Sequence, residues 1–170
     1  DTLFVIDQAY VAFTTEELLK PKDVYAHKNL ILVQSISKAY NIPGLRIGYL
    51  VADQSLTERL NRYVIPWSVT AVAIEASKYI LIHPAQCTLQ IRKWQRETSD
   101  LVYLLRKLDG VEVIPTATTF FLVRLKKGNA ASLKQYLLEQ EGILIRDASN
   151  FRGLDESYIR LSTQRTEQNE

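Results

Sequence analysis

The first half of the chain alternates short apolar runs with segments of helical spacing. The runs over residues 2–7, 29–35 and 46–52 are rich in β-branched side chains, which is typical of strands buried on both faces of a parallel sheet. Helical spacing follows Asp53, and a second helical stretch ends before Pro84, because proline lacks the backbone donor that would continue a helix. The pattern predicts an α/β fold with a mostly parallel sheet.

The pattern changes after residue 84. A long amphipathic helix is predicted over 85–110, where Gly110 accepts the left-handed backbone conformation common at helix ends. One further helix is predicted over 131–142, and short strands over 111–115, 118–125, 143–147 and 158–163. This order is typical of an α+β domain with helices on one side of its sheet. We therefore expect a large α/β domain over 1–84 and a small α+β domain over 85–170.

Both ends of the chain carry unfinished elements. The chain starts directly on an apolar strand, and Thr166, followed by Glu and Gln, resembles a helix N-cap and first turn. We therefore expect the chain to be a fragment of a longer protein, in which other segments complete the sheet and any ligand site.

Composition and charge exclude several classes of partner. The 170 residues carry a formal net charge of only +2, with acidic and basic residues interspersed, so the sequence lacks the basic patch of a nucleic-acid-binding protein. Cys87 is the only cysteine and has no Cys or His at metal-ligand spacing, which argues against disulfides and a metal site. No apolar run approaches the length of a membrane span. We expect a cytoplasmic protein that binds small molecules.

Lys38 stands between the second apolar run and a turn-forming stretch. Strand alternation predicts that Ser35 and Ser37 project to one side at the carboxyl end of this strand, where open α/β sheets bind ligands. A proline and a glycine further on allow a turn that returns Arg46 to the same place. Two hydroxyls and a guanidinium suit a phosphate monoester, and the lysine amine beside them suits a Schiff base with a carbonyl compound.

Asp7 ends the first predicted strand. If the first two strands are neighbours, its carboxylate points into the same crevice, where a buried aspartate needs a cation. The pyridinium nitrogen of pyridoxal phosphate is such a cation, and keeping it protonated strengthens the ring as an electron sink. Tyr10 is expected to bring its hydroxyl near the phenolic oxygen of that ring. These residues predict a pyridoxal 5′-phosphate site.

Four stretches carry a resemblance to a known family. They read DQAY (7–10), SISKAYNIPGLRIGY (35–49), PWSV (66–69) and GILIRDASNFRGLDESYIRLSTQRTEQNE (142–170). In this order the chain resembles the second half of the fold-type I pyridoxal-phosphate-dependent enzymes of the class I/II aminotransferase family. It is similar to the subgroup of histidinol-phosphate aminotransferase and threonine-phosphate decarboxylase. The resemblance implies that the first predicted domain is part of the cofactor-binding large domain and that the second is the small C-terminal domain.

Six side chains match cofactor-binding positions of that family. The resemblance implies that Lys38 carries the cofactor as a Schiff base, that Asp7 pairs with the pyridine nitrogen and that Tyr10 bonds the phenolic oxygen. The cofactor phosphate is implied to be held by Ser35, Ser37 and Arg46. The family motif D-E-A-Y differs here at Gln8, which we expect to point away from the ring.

Two arginines of the second domain match substrate-binding positions. The resemblance implies that Arg160 binds the substrate carboxylate and that Arg146, beside it, binds a second acidic group. The substrate is then a phosphorylated amino acid or amine. Trp67 is expected either to line the substrate cavity or to pack at a domain junction, and the sequence leaves both open.

The resemblance favours one reaction among several. The PWSV stretch and residues 150–170 favour threonine-phosphate decarboxylase, which serves cobalamin biosynthesis. A histidinol-phosphate or related aminotransferase, which serves histidine biosynthesis, stays open as the alternative. A non-catalytic remnant or interaction module with the same fold also stays open, although buried charges are costly to keep without a ligand. The resemblance further implies a homodimer at full length, and we expect the fragment alone to be inactive.

Overall fold

The computed structural model describes residues 2–164 and divides the chain into two compact units, Asp1–Gln90 and Ile91–Glu170. Each unit has its own sheet and its own apolar core. The N-cap predicted at Thr166 lies outside the described residues. The domain boundary after residue 84 stays a prediction.

A three-stranded sheet forms the centre of the first unit. β1 (Phe4–Asp7) pairs in parallel with β2 (Leu30–Ser35), and β2 pairs antiparallel with β3 (Gly48–Val51). The parallel pair of the predicted sheet is therefore β1 and β2, while β3 returns beside β2 in the opposite direction. At the start of β3, a Cβ on Gly48 would lie 2.5 Å from the carbonyl oxygen of Gln34. Only glycine allows the two strands to approach this closely.

The first unit contains four α-helices within the described residues, and the two longer ones begin at residues whose side chains cap them. The helices are α1 (Pro21–Ala26), α2 (Ile36–Ala39), α3 (Gln54–Asn61) and α4 (Ala71–Ile82), with 3₁₀ turns at Val11–Phe13 and Pro43–Leu45. The Asp53 carboxylate accepts the Ser55 N–H at 3.0 Å, and the Thr70 hydroxyl accepts the Ala73 N–H at 3.2 Å. These bonds satisfy donors that the first turn of a helix leaves unpaired. The two longer helices follow the stretches that the sequence predicts.

Burial in the first unit is concentrated on β2. Residues 30–32 are buried, and Val24 of α1 packs against Leu30 and Leu32. On β1, by contrast, the side chains of Phe4 and Val5 are 52% and 58% exposed. The expectation that the first strand is buried on both faces is therefore wrong. The physical reason is that β1 lies at the edge of the described sheet, with a neighbouring strand on one side only.

The second unit contains a four-stranded antiparallel sheet and two helices. The strands are β4 (Val111–Val113), β5 (Phe120–Leu125), β6 (Arg146–Asp147) and β7 (Tyr158–Ser162), and the helices are α5 (Ile91–Leu105) and α6 (Ala130–Glu141). The strand order is β4-β5-β7-β6. The predicted α+β arrangement is confirmed.

Helix α5 is shorter than predicted at both ends. It begins at Ile91 instead of residue 85, because the Thr88 hydroxyl donates to the Pro84 carbonyl at 3.0 Å and the chain after that proline forms a turn. It ends at Leu105, and the residues that precede Gly110 form tighter turns with hydrogen bonds between residues three apart.

The sheet of the second unit has two different faces. Alternate residues of β5 pack against α5 and α6, and these are Phe121, Val123 and Leu125. The intervening Phe120 and Leu122 point to the opposite face, because successive side chains of a strand alternate. We call this second face the open face. It carries the candidate substrate residues.

An apolar stretch of the first unit lies exposed to solvent. Tyr63, Ile65 and Trp67 are 84%, 75% and 96% exposed, and Trp67 has a positive φ of 68°. Both interpretations of Trp67, as lining of the substrate cavity and as packing at a domain junction, stay predictions. Contiguous exposed apolar side chains are typical of surfaces that another protein segment covers.

We predict that residues 1–170, produced alone, self-associate through this stretch. The exposed apolar area favours association, so light scattering after size-exclusion chromatography should give a mass above that of one chain at micromolar concentration. The double variant Ile65→Ser, Trp67→Ser should shift the mass toward the monomer. A monodisperse wild-type monomer would contradict the prediction.

Candidate functional site

The carboxyl ends of β1 and β2 bring the predicted cofactor residues to one edge of the sheet. The parallel register pairs Asp7 with Val33, and β2 ends two residues later at Ser35. The expectation that the strands of Asp7 and Ser35 are neighbours is confirmed. This edge is where open α/β sheets bind ligands.

Ser35 and Ser37 form a pair of hydroxyls at this edge. Their Oγ atoms are 3.1 Å apart. The expected reason, strand alternation, is wrong, because β2 ends at Ser35 and the short helix α2 begins at Ile36. The turn of α2 places Ser37 beside the last strand residue, where it is only 5% exposed.

Lys38 follows on the same short helix. Its side chain is exposed, and its Nζ lies 5.0 Å from the centroid of the Tyr10 ring. The ring face is electron-rich, so this distance allows a cation–π interaction with the ammonium form. The structure therefore brings together the lysine and the tyrosine that the sequence selects.

Arg46 returns to this region through its backbone. The Ser37 N–H donates to the Ile47 carbonyl at 3.4 Å, which ties the segment of Arg46 to the hydroxyl pair. The guanidinium itself is exposed and donates to the Pro43 carbonyl at 2.7 Å. Since a guanidinium has five N–H donors, this bond leaves most of its donors for a ligand.

Asp7 and Gln8 point to different environments. Asp7 is exposed, against the expectation of a buried carboxylate, and its Oδ1 accepts the Ala9 N–H at 2.8 Å. Gln8 is 6% exposed; its Nε2 donates to the Leu19 carbonyl at 3.0 Å and its Oε1 accepts from Gln34 at 2.7 Å. Consecutive residues thus point in different directions, and the expectation that Gln8 points away from the ring stays a prediction. The bond to Gln34 joins the ends of β1 and β2.

The donor set at this edge fits a phosphorylated carbonyl cofactor. The hydroxyls of Ser35 and Ser37 and the guanidinium of Arg46 suit a phosphate, and the Lys38 amine suits a carbonyl carbon. The carboxylate of Asp7, at the end of the adjacent strand, suits a protonated ring nitrogen.

The open face of the second unit carries a cavity with two arginines. The cavity has a volume of about 520 Å³, and we call it the arginine cavity. Its lining includes Phe120, Leu122, Phe151, Arg152, Leu154 and Arg160. The Arg160 Cζ atom lies 5.6 Å from the centroid of the Phe120 ring. The structure therefore places one of the two predicted substrate arginines in a concave site of ligand size.

Arg146 lies beside Arg160 but has other contacts. The two are register partners on β6 and β7, so their side chains share the open face. The Arg146 guanidinium donates to Asn150 Oδ1 at 3.1 Å, and its Cζ lies 5.8 Å from the centroid of the Phe151 ring. Arg146 also contributes to a lowered pKa of Asp147, whose main cause is hydrogen bonding from Ser149.

Arg152 is the residue that sequence reasoning missed. It lines the arginine cavity together with Arg160, although only Arg146 and Arg160 were expected there. The signal available in the sequence is the FRGL stretch at 151–154, a basic residue followed directly by glycine, as in many tight turns.

Two further classes of site have no support in the described part of the chain. Among residues 2–164, no group of three or more His, Cys, Asp and Glu side chains could hold a metal ion. No helix within the same range is long and apolar enough to cross a membrane.

The chain is similar to several known proteins. The family model described as Aminotransferase class I and II matches residues 1–170. The fold matches the crystal structure of L-threonine-O-3-phosphate decarboxylase from Porphyromonas gingivalis with a TM-score of 0.96 and 63% identity, over 99% of this chain and 52% of that chain. Threonine-phosphate decarboxylase of Salmonella typhimurium (strain LT2) is 34% identical over 98% of this chain and 45% of its own length. Histidinol-phosphate aminotransferase of Thermoanaerobacter sp. (strain X514) is 32% identical over 99% of this chain and 46% of its own length.

These matches confirm the family that the four motifs indicate. The chain spans about half the length of the curated relatives it matches. The placement of the match in the second half of those relatives stays a prediction that rests on the order of the motifs. The roles of the individual side chains also stay predictions.

We predict that Gln8→Glu destabilises the full-length protein in a pH-dependent way. The substitution removes the donor to the Leu19 carbonyl, and burial disfavours the charged form of the new carboxyl, so its pKa should be raised. The loss of stability should be about 1–3 kcal/mol at neutral pH. It should shrink as the pH falls through the raised pKa, because the protonated carboxyl can donate again.

Urea unfolding of the variant and wild type at neutral and mildly acidic pH measures this difference. Gln90→Glu, at an exposed position, is the matched control and should have little effect at either pH. A loss of stability for Gln8→Glu that stays constant with pH would contradict the explanation.

Proposed function

Because the chain belongs to the aminotransferase class I and II family, we propose that the full-length protein is a pyridoxal-phosphate-dependent enzyme that decarboxylates L-threonine O-3-phosphate. The observation that carries this proposal is the 63% identity, across 99% of the chain, to the decarboxylase from Porphyromonas gingivalis. The class I and II family is pyridoxal-phosphate-dependent, and the donor set at the ends of β1 and β2 suits that cofactor.

We assign the cofactor to the carboxyl ends of these two strands. When bound, the cofactor withdraws electrons from the bond that breaks at the substrate α-carbon. Lys38 would hold the cofactor through its carbonyl carbon, and Asp7 would pair with its protonated ring nitrogen. The Tyr10 hydroxyl would donate to the phenolic oxygen of the cofactor. Ser35, Ser37 and Arg46 would donate hydrogen bonds to the cofactor phosphate.

Lys38 would have a second role as a proton carrier. The free amine is the group that moves a proton to or from the substrate α-carbon. The Tyr10 ring, whose centroid lies 5.0 Å from Nζ, gives the amine a neighbour that helps to position it. The exposed position of Lys38 on a four-residue helix supports this role, because the side chain has room to move.

The arginines of the second unit select the reaction. Decarboxylation breaks the bond between the α-carbon and the carboxylate carbon; carbon dioxide leaves, the electron pair stays behind and a proton then adds to the α-carbon. Which bond at the α-carbon breaks would depend on where the protein holds the anionic groups of the substrate. We assign the substrate carboxylate to Arg160 and the phosphate to Arg146.

Transamination of histidinol phosphate is the second candidate function. It is supported by the 32% identity to the histidinol-phosphate aminotransferase of Thermoanaerobacter. Histidinol phosphate has no carboxylate, so its phosphate and the carboxylate of the amino-group acceptor would use the same arginines in turn.

We further propose that the full-length protein is a cytoplasmic homodimer. The exposed apolar side chains over residues 63–69 of the first unit support a surface that a second subunit covers. The interspersed charges and the net charge of +2 support a small-molecule substrate instead of nucleic acid.

The two reactions are separated by their products. We expect the full-length protein, supplied with pyridoxal phosphate, to release carbon dioxide from O-phospho-L-threonine. We expect little glutamate from histidinol phosphate with 2-oxoglutarate. Carbon dioxide is measured by a coupled assay and glutamate by chromatography.

Lys38→Ala is the control for both assays. It should abolish product formation and the visible absorbance band of the bound cofactor, while leaving the circular dichroism spectrum unchanged. Rapid glutamate formation without carbon dioxide would overturn the decarboxylase proposal in favour of the aminotransferase. A wild type that gives no visible band with pyridoxal phosphate would overturn both.

A further inference from the structure

The arginine cavity contains a guanidinium to which the proposed function gives no role. Arg152 and Arg160 both line this space of about 520 Å³, which lies within the roughly 300–1,000 Å³ of small-molecule sites. The lining residues of the cavity include no aspartate or glutamate within the described part of the chain. Its walls are otherwise largely aromatic and aliphatic. The cavity is therefore suited to a small anion with a short carbon skeleton.

A tight turn fixes the position of Arg152. The Leu154 N–H donates to the Phe151 carbonyl at 3.1 Å, and Gly153, the third residue of the turn, has a φ of 87°. These are the features of a type II turn, which requires a positive φ at its third position. The backbone of Arg152 is therefore held in place at the second position of the turn, next to the cavity wall formed by Phe151.

Arg152 differs from Arg146 in how its donors are used. The Arg146 guanidinium donates to Asn150 and stands over the Phe151 ring. It is not among the residues that line the cavity. Arg152 lines the cavity, and within residues 2–164 its guanidinium makes no such hydrogen bond or ring contact. Its planar donors are available for a planar or tetrahedral anion.

Two of the three arginines line one cavity, and the third, Arg146, is the register partner of Arg160. Within the described residues, none of their guanidinium groups has a carboxylate within 4.0 Å, since the ion pairs found there involve other residues. Like charges on paired strands disfavour folding, and Arg146 and Arg160 are direct register partners. An anion bound among them would offset this repulsion.

We propose that Arg152 is a specificity-determining residue that binds the phosphate group of the substrate. The inference rests on the proposed function, which gives the carboxylate to Arg160 and the dianionic phosphate to Arg146, whose single positive charge does not neutralise it. Arg152 supplies a second guanidinium for that phosphate in addition to Arg146. The apolar lining from Phe120, Phe151 and Leu154 contacts the carbon skeleton between the two anionic groups.

The test uses a probe that has both anionic groups but cannot react. 3-Phosphoglycerate carries a carboxylate and a phosphate but no amine, and glycerate is the same compound without the phosphate. Calorimetric titration of the cofactor-loaded full-length protein should show Arg152→Gln binding 3-phosphoglycerate at least about tenfold more weakly than wild type, because hydrogen bonds to charged groups contribute this much. Binding of glycerate should change little. The affinity of Arg152→Lys for 3-phosphoglycerate should lie between those of wild type and Arg152→Gln, since lysine keeps the positive charge but lacks the paired N–H donors of the guanidinium.

Arg124→Gln is the matched control. It removes the same charge from the open face, but Arg124 lies 3.9 Å from Glu112 and outside the arginine cavity, so it should leave both affinities unchanged. The melting temperature of Arg152→Gln should equal or exceed that of wild type, because a repulsive charge is removed. Three results would each overturn the proposal. They are an equal weakening of 3-phosphoglycerate and glycerate binding, a lowered melting temperature together with loss of binding of both compounds, and unchanged binding of 3-phosphoglycerate.

Failure of the proposed role of Arg152 and failure of the proposed function give different results. A wild type that decarboxylates O-phospho-L-threonine while Arg152→Gln binds 3-phosphoglycerate normally would overturn only the role of Arg152. A wild type that binds 3-phosphoglycerate through Arg152 but releases no carbon dioxide would overturn only the reaction. A wild type that does not bind 3-phosphoglycerate would overturn the phosphate site.

Discussion

The parallel pairing of β1 with β2 is the constraint on which the first unit depends. It aligns Asp7 with Val33, so the end of β1 lies next to the end of β2 and the hydroxyl pair that follows. The hydrogen bond between the Gln8 and Gln34 side chains joins the same two strand ends. Because the register of a strand decides which way each side chain points, a shift by one residue would turn Asp7 away from this edge.

The return of β3 beside β2 depends on a single glycine. The close approach of Gly48 to the Gln34 carbonyl lets the chain come back directly after two short helical segments. The Ser37 N–H then reaches the Ile47 carbonyl, next to Arg46. A segment of about a dozen residues therefore presents two hydroxyls, an amine and a guanidinium without needing a long connection.

The second unit separates stability from binding by using the two faces of one sheet. Its buried face supplies apolar packing against α5 and α6, which is the main favourable term in folding. Its open face carries Arg146 and Arg160 as direct neighbours, an arrangement that packing alone disfavours. Unpaired like charges at a cavity are more typical of binding sites than of structural surfaces.

Sequence patterns predicted the strands that carry the site but not every orientation within it. Ser35 and Ser37 were found from their spacing, yet they meet because a helix begins at Ile36, and spacing alone does not distinguish a strand from a first helical turn. The antiparallel direction of β3 depends on the close approach at Gly48, which is a tertiary contact.

Two other differences between the predictions and the structure also arise from features that the sequence pattern does not show. Exposure of β1 could not be read from its apolar composition, because burial depends on which elements cover a strand. Arg152 was missed because its place at the arginine cavity depends on a turn whose geometry is set by Gly153. Site residues can thus be predicted where their chemistry and their spacing in the sequence indicate the same ligand. They cannot be predicted where a loop determines the direction of the side chain.

Trapping the cofactor on its lysine is the most direct test of the account. Borohydride makes the bond between a lysine amine and the cofactor carbonyl carbon permanent, and trypsin does not cleave after a lysine so modified. Mass spectrometry of the digested full-length protein should therefore find the phosphopyridoxyl group on one peptide over residues 29–46, which spans Lys38 uncleaved. Unmodified peptides ending at Lys38, with the group on another lysine or on none, would contradict the central claim that Lys38 binds the cofactor.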